Sequence, residues 1–211
     1  MSDTSAARRL HGLYVIIDPD ACGARPAVDV ARLAIEGGAA ALQWRDKRRD
    51  KGDQLTDARK VAALCRAAGV PLIVNDHADL ALAAGADGVH LGQHDLPIDA
   101  VRPFAGAAMI IGVSTNNAAE ARAAEAAGAD YVAVGAIFPT QTKGNTRPAN
   151  TERIREVKAA VRVPVVAIGG INASNIAQVV EAGADAAAVI SAVCAADDPR
   201  AAARELAAAF R

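Results

Sequence analysis

The chain has 211 residues, 52% of them hydrophobic and 22% charged, with a formal net charge of -1 at pH 7. That balance excludes a disordered chain and provides no broad basic footprint for nucleic acid or an anionic membrane surface, so any anionic ligand must be held by a local cluster. Aromatic residues make up only 3%, which calls for a core of small aliphatics, as in helices packed closely on a parallel sheet.

The opening stretch, MSDTSAARRL, is polar and lacks the apolar segment of a signal peptide, and no apolar run approaches the roughly 20 residues of a membrane span. A soluble, cytoplasmic protein is expected. The three cysteines, Cys22, Cys65 and Cys194, are odd in number and have no CxxC spacing, so reduced, buried thiols are expected and neither a disulfide framework nor a zinc site.

A recurring phrase organises the chain: AAGADGVHLG from 83, AAGADYVAVG from 126, EAGADAAAVI from 181, and the looser EGGAAALQW from 36. Each reads as a helix end, a glycine able to take the left-handed C-cap conformation, and an apolar run of strand length. In chain order the spacing predicts strands near 12–18, 40–46, 71–76, 88–92, 109–114, 131–137, 164–169 and 186–191. Between and after them it predicts helices near 28–37, 54–67, 78–84, 98–104, 117–127, 151–161, 173–182 and 198–210. Strict alternation demands parallel strands with right-handed crossovers, and eight such units close into a single (β/α)8 barrel spanning 1–211. An open doubly wound sheet is the alternative, but no GxGxxG follows the first strand.

In such a barrel the C-terminal strand ends form the active face. Period-2 alternation in LQWRDK puts Gln43, Arg45 and Lys47 on one face of the second strand, with Trp44 and Asp46 on the other. Arg45 offers a planar fork and Lys47 a mobile point charge, a pairing suited to phosphate or diphosphate; alternatively each snorkels at the surface. Lys143, on the long 138–150 connection, could reach the same anion. Asp76 and Asp95, at adjacent strand ends, suit a hard cation such as Mg2+, or else cap the helices that follow. Asn75 can cap or bind. IGG at 168–170 and Ile190-Ser191 offer backbone N–H groups to a phosphate, or are ordinary tight turns. His77, His90 and His94 lack zinc spacing; His90 reads as a barrel-interior residue, and Ser114 has no triad pattern.

Taken together, LQWRDK, IVND, GADGVHLGQHD, GVST, GAIFPTQTK, AIGGI and VISA, in that order over nearly the whole chain, make it resemble the thiamine phosphate synthase family. The resemblance implies that Gln43, Arg45, Lys47 and Asn75 bind an aminopyrimidine diphosphate, with Ser114 and Lys143 also contacting it. It implies Mg2+ on Asp76 and Asp95. It further implies that Thr140, Thr142, Gly170, Ile190 and Ser191 bind a thiazole phosphate. Taken whole, the QWRDK and TQTK segments add Trp44, Asp46 and Gln141 to the substrate contacts. Departures are Ala136, where the family often has Pro, and Thr115-Asn116, where it often has Ala-His.

The implied reaction couples 4-amino-2-methyl-5-pyrimidinylmethyl diphosphate to a (carboxy)thiazole ethyl phosphate, giving thiamine phosphate and diphosphate. Diphosphate leaves first, the pyrimidine amino group stabilises the resulting cation, and the thiazole nitrogen attacks. Arg45, Lys47 and Lys143 carry the catalytic role of stabilising charge on the leaving group. The 138–150 connection is the expected lid. A related thiazole tautomerase would need one phosphate site and no metal. A non-catalytic barrel binding phosphorylated ligands is the other alternative. The expected partners are small molecules, and Ala-rich helix faces could also pack subunits into a homo-oligomer.

Overall fold

The computed structural model describes residues 10–140 and 150–211. Its elements, in chain order, are β1 (Gly12–Ile17), α1 (Pro19–Cys22), α2 (Ala27–Gly37), β2 (Ala41–Trp44), α3 (Lys51–Ala68), β3 (Leu72–Asn75), α4 (Ala78–Ala84) and β4 (Gly88–Leu91). There follow α5 (Ile98–Ala105), β5 (Ile110–Thr115), α6 (Ala118–Ala126), β6 (Tyr131–Val134), α7 (Glu152–Ala160), β7 (Val165–Ile168), α8 (Ile176–Glu181) and β8 (Ala186–Val189). The chain ends with α9 (Ser191–Cys194), α10 (Pro199–Ala207) and a 3-10 turn over Ala208–Phe210. The strands are all parallel and close into a barrel in sequence order, with β1 paired to both β2 and β8. The expected (β/α)8 architecture is the one observed.

The Gly-Ala-Asp phrase has a structural job at the lower end of this barrel. Asp87, before β4, accepts the Leu72 N–H at 2.8 Å; Asp130, before β6, accepts the Ile111 N–H at 2.8 Å; Asp185, before β8, accepts the Val165 N–H at 2.7 Å. Each carboxylate therefore ties the start of one strand to the start of its predecessor. Each bond also satisfies a strand-start N–H that would otherwise need another partner. The looser copy has Ala40 in place of the aspartate and keeps only the backbone bond that all four copies make, here from Ala40 N to the Leu13 carbonyl at 2.7 Å.

Strand alternation separates two cores. Outward-facing residues such as Leu13, Val15, Leu42, Trp44, Val74, Val89 and Val132 pack under the helices. Inward-facing Tyr14, Ile16, Ala41, Ile73, Ile110, Tyr131, Ala133, Val166, Ala186 and Ala188 fill the barrel. Because so many inner positions are alanine, two tyrosines supply the volume. Gly112 makes the room: a Cβ there would lie 1.9 Å from Tyr131 Cζ. Cys22, Cys65 and Cys194 are buried and free. Among the described residues no helix is long and apolar enough to cross a membrane.

The four-residue helices α1 and α9 were not expected. Both follow strands directly, α1 with the side chain of Asp18 accepting the Asp20 N–H at 3.1 Å and Pro19 at its first position. Segments of one turn carry no 3.6-residue periodicity to read.

Candidate active site

Inward alternation at the upper strand ends decides which polar residues meet. Arg45 follows β2 on its inner face, where its backbone N–H bonds the Ile17 carbonyl at 3.0 Å and prolongs the β1–β2 pairing. That register sets Arg45 beside Asp18, and its guanidinium is ion-paired to the Asp18 carboxylate. Asp18 is buried, with 5% exposure. One part of the Arg45 fork is thus anchored, which holds the rest in a set direction. Sequence reading ended the first strand at Asp18 but assigned it no role; the parallel offset of β1 and β2 was the available signal.

Lys47, half-exposed, pairs with the Asp76 carboxylate across the β2 and β3 strand ends. Asp76 sits at φ 64°, in the left-handed region that non-glycine residues rarely take. Its N–H bonds the His90 carbonyl at 2.8 Å, which holds it there. Backbone strain of this kind, ~1–3 kcal/mol, gathers at functional positions. Asp95 accepts the Gly92 N–H at 2.6 Å and lies beside Asp76. Burial pushes the Asp95 carboxyl up, and the neighbouring Asp76 pushes it further. Burial also acts to raise Asp76, but the Lys47 ammonium overrides it and holds that carboxyl below the usual range.

Two neighbouring carboxylates, one pushed up and the other held down by Lys47, are a donor set that a hard divalent cation would satisfy, because the cation removes their mutual repulsion. Mg2+ fits these oxygens. No helix-capping bond by either side chain accounts for them: α4 starts at His77-Ala78 and α5 at Pro97-Ile98, neither with a side-chain cap.

Across the mouth, a cavity of about 680 Å3 is lined by residues of the β5 to β8 ends, among them Ser114, Thr140, Gly170, Ile190 and Ser191. Gly170 has φ +68°, and a Cβ there would stand 2.5 Å from the Pro139 carbonyl oxygen, so the backbone at this wall comes too close for any side chain. Ser191 opens α9, whose first N–H groups are not consumed by its own ladder. A second, small space at the barrel centre shares Ser114 and Ile190 with that cavity and is also lined by Gln43, Arg45, Asn75 and His90.

The structure therefore brings Gln43, Arg45, Asn75, Ser114 and Ile190 onto one wall system, with Lys47, Asp76 and Asp95 on its β2–β4 side and Thr140, Gly170 and Ser191 opposite. Gln141, Thr142 and Lys143 lie outside the described residues. Trp44 and Asp46 are corrected: they are outward-facing and do not line the mouth. The Trp44 indole is 1% exposed and donates to Gln54 Oε1 at 3.2 Å, with the Arg49 guanidinium 5.7 Å above its ring. Asp46 folds back on the turn after it, accepting the N–H groups of Arg48 and Arg49 at 2.9 and 3.1 Å and the Arg49 guanidinium at 2.6 Å. Burial opposes the charge on Asp46, but these donors outweigh it and its carboxyl lies below the usual range. Period-2 geometry already separated the pair from Gln43, Arg45 and Lys47.

Comparison with known proteins identifies the family of the chain. The family model described as thiamine monophosphate synthase matches residues 13–193. The thiamine-phosphate synthase of Moorella thermoacetica is 47% identical over 195 residues, covering 92% of this chain and 93% of its own. That of Methanoregula boonei is 50% identical over 195 residues, covering 92% and 90%. Among solved structures, the thiamine phosphate pyrophosphorylase from Pyrococcus furiosus superposes with a TM-score of 0.89 at 39% identity, covering 97% of this chain and 96% of that one. A 3-hexulose-6-phosphate synthase, at TM-score 0.69 and 22% identity over 95% of this chain and 100% of its own, shares the barrel fold alone. A matched barrel, matched over nearly its full length, with its cations and carboxylates gathered at the mouth: the chain belongs to the thiamine monophosphate synthase family.

Proposed function

We propose that this transferase moves the aminopyrimidinylmethyl group of 4-amino-2-methyl-5-pyrimidinylmethyl diphosphate onto the nitrogen of a (carboxy)thiazole ethyl phosphate, releasing diphosphate and forming thiamine phosphate, in the cytoplasm. The observation that carries this reading is the meeting of Arg45, Lys47, Asp76 and Asp95 at one side of the mouth, with a roomy cavity and the Gly170–Ser191 wall at the other. Two anionic substrates need two separate anion sites a short distance apart, which these two sides would supply.

The residues divide the work by side. Arg45, braced by Asp18, receives the diphosphate, and Lys47 exchanges its Asp76 partner for the leaving-group oxygens as negative charge grows on them. Gln43 and Asn75 hold the pyrimidine end at the barrel centre with Ser114. The thiazole phosphate takes the N–H groups around Gly170 and Ser191 together with Thr140. Lys143, Thr142 and Gln141 join the proposal through their sequence match alone. Asp76 and Asp95 hold Mg2+, which when bound supplies Lewis-acid stabilisation of the departing diphosphate. No group here acts as general base, since a departing diphosphate and an attacking ring nitrogen require positioning and charge stabilisation instead.

The test is a diphosphate-release assay with the purified chain and both substrates, with and without EDTA. Release that needs the thiazole phosphate and stops with EDTA is the expected result. Release as fast without the thiazole phosphate as with it, or none with both substrates and Mg2+ present, rejects the proposal.

A further inference from the structure

Inside the barrel, four hydrogen bonds run in series from one side of the mouth to the other. Gln43 Nε2 donates to the Tyr14 hydroxyl at 2.9 Å; the Tyr14 and Tyr131 hydroxyls meet at 3.1 Å; the Tyr131 hydroxyl meets His90 Nδ1 at 2.9 Å; and His90 Nε2 meets Ser114 Oγ at 2.9 Å. The two ends, Gln43 and Ser114, belong to the proposed substrate site. Tyr14, Tyr131 and His90 have so far been given no part in the reaction. Both tyrosines are almost fully buried, at 2% and 0% exposure, and burial pushes both phenols up, so each keeps its single proton.

That single proton decides the direction of the whole series. Among the described residues the Tyr14 hydroxyl meets only the Gln43 amide nitrogen and the Tyr131 hydroxyl. The amide is a donor, so the Tyr14 proton has one place to go, the Tyr131 oxygen. With the opposite polarity in that bond, the Tyr14 O–H would be buried without an acceptor. Having accepted from Tyr14, Tyr131 gives its own proton to His90 Nδ1. The imidazole then carries its proton on Nε2 and donates to Ser114 Oγ. The Ser114 proton is turned away from His90, which makes Ser114 a donor toward the mouth. At the far end, Gln43 has its nitrogen committed inward, so its Oε1 serves a ligand as acceptor.

We propose that Tyr14, Tyr131 and His90 are positioning residues: their one-way series of hydrogen bonds fixes Gln43 as an acceptor and Ser114 as a donor, and so selects a ring ligand offering an N–H to the first and a lone pair to the second. An aminopyrimidine, with an exocyclic amine and ring nitrogens, has this chemistry; naming it rests on the function proposed above. The direction of the series rests only on proton counting. The seat of the central phenol depends on Gly112, which alone leaves space for the Tyr131 ring.

Two measurements test this. First, 15N NMR of the intact protein, labelled at histidine and held above the usual imidazole titration range, reads which ring nitrogen of His90 carries the proton. Nε2–H is expected. A proton on Nδ1 would mean that the Gln43 amide is turned over and every bond reversed, and it overturns the proposal. Second, Tyr131→Phe keeps the ring but cuts the series. KM for the pyrimidine diphosphate is expected to rise about tenfold while KM for the thiazole phosphate stays within about twofold. His90→Gln, which can still donate to Ser114, is expected to recover most of the affinity lost in His90→Leu. Unchanged pyrimidine KM in Tyr131→Phe, or His90→Gln no better than His90→Leu, sinks the assignment. Absence of all synthase turnover in the wild type rejects the proposed function instead, while the NMR result still decides the series.

Discussion

The two ends of the barrel use the same side chain for opposite purposes. At the lower end Asp87, Asp130 and Asp185 accept backbone N–H groups at the start of a neighbouring strand. At the mouth Asp18 and Asp76 pair with the side-chain cations Arg45 and Lys47, and Asp95 leans on Asp76. A backbone N–H cannot leave its carboxylate without unravelling a strand, so the lower bonds are fixtures. A lysine ammonium can be handed to an incoming phosphate at little cost, so the upper pairs are exchangeable. The repeated aspartates are therefore structural, and the proposed chemistry falls to unrepeated ones at the mouth.

The sharpest way to break this contrast is to remove one member from each end. Arg45→Ala should lose about 3 kcal/mol of transition-state stabilisation, on the order of a hundredfold or more in turnover, as for loss of one oxyanion donor. Steady-state kinetics at a temperature well below the melt checks it: turnover falls with the protein still folded, although loss of the Asp18 partner also lowers the melting temperature. Asp185→Ala should lower stability alone. It strands the Val165 N–H and the Lys158 ammonium, which bonds Asp185 Oδ1 at 2.7 Å, and should cost about 1–3 kcal/mol of stability, lowering Tm by several degrees at this chain length. Its turnover at a temperature well below the melt should be unchanged. Combined, the two losses should add, since the sites share no partner; strong coupling between them would erase the division of labour.

Asp95→Asn sharpens the upper half of the contrast. It removes one of two anionic oxygen donors and should raise the Mg2+ concentration for half-maximal rate roughly tenfold. An identical metal requirement in mutant and wild type would return Asp95 to a purely structural role. The smallest effect belongs to Asp46, which lies in the same strand end as Arg45 but bonds the backbone as the lower aspartates do. Its carboxyl is held below the usual range, so the charge stabilises the fold above that range and ceases to do so as pH falls through the folded-state value. Asp46→Asn should therefore cost about 1 kcal/mol or less near neutral pH, and the gap to wild type in denaturant melts should close under acid conditions. A gap that widens in acid would contradict the sign.

Much of the frame was legible because the glycine-terminated helix and the apolar strand recur, and each recurrence marks a unit. The site was legible where period 2 applied: Gln43 and Arg45 face inward as alternation requires. Trp44 and Asp46 were carried along only because a motif was taken whole across a strand whose two faces serve different layers. His90 was placed in the barrel interior, where it lies. Its links to Tyr131 and Ser114, however, join residues 41 and 24 positions apart and exist only through the pairing of β4, β5 and β6. The Arg45–Asp18 brace was hidden for the same reason, since strand register is a tertiary fact. One-turn helices α1 and α9 were too short to show a period.

The most direct test of the exchangeable mouth is a crystal structure of the chain grown with Mg2+ and diphosphate. The expected result is the ion on the carboxylates of Asp76 and Asp95, with diphosphate oxygens on Arg45 and with Lys47 released from Asp76 to the anion. Diphosphate bound away from Arg45, with the Lys47–Asp76 pair intact and no ion on Asp95, would contradict it.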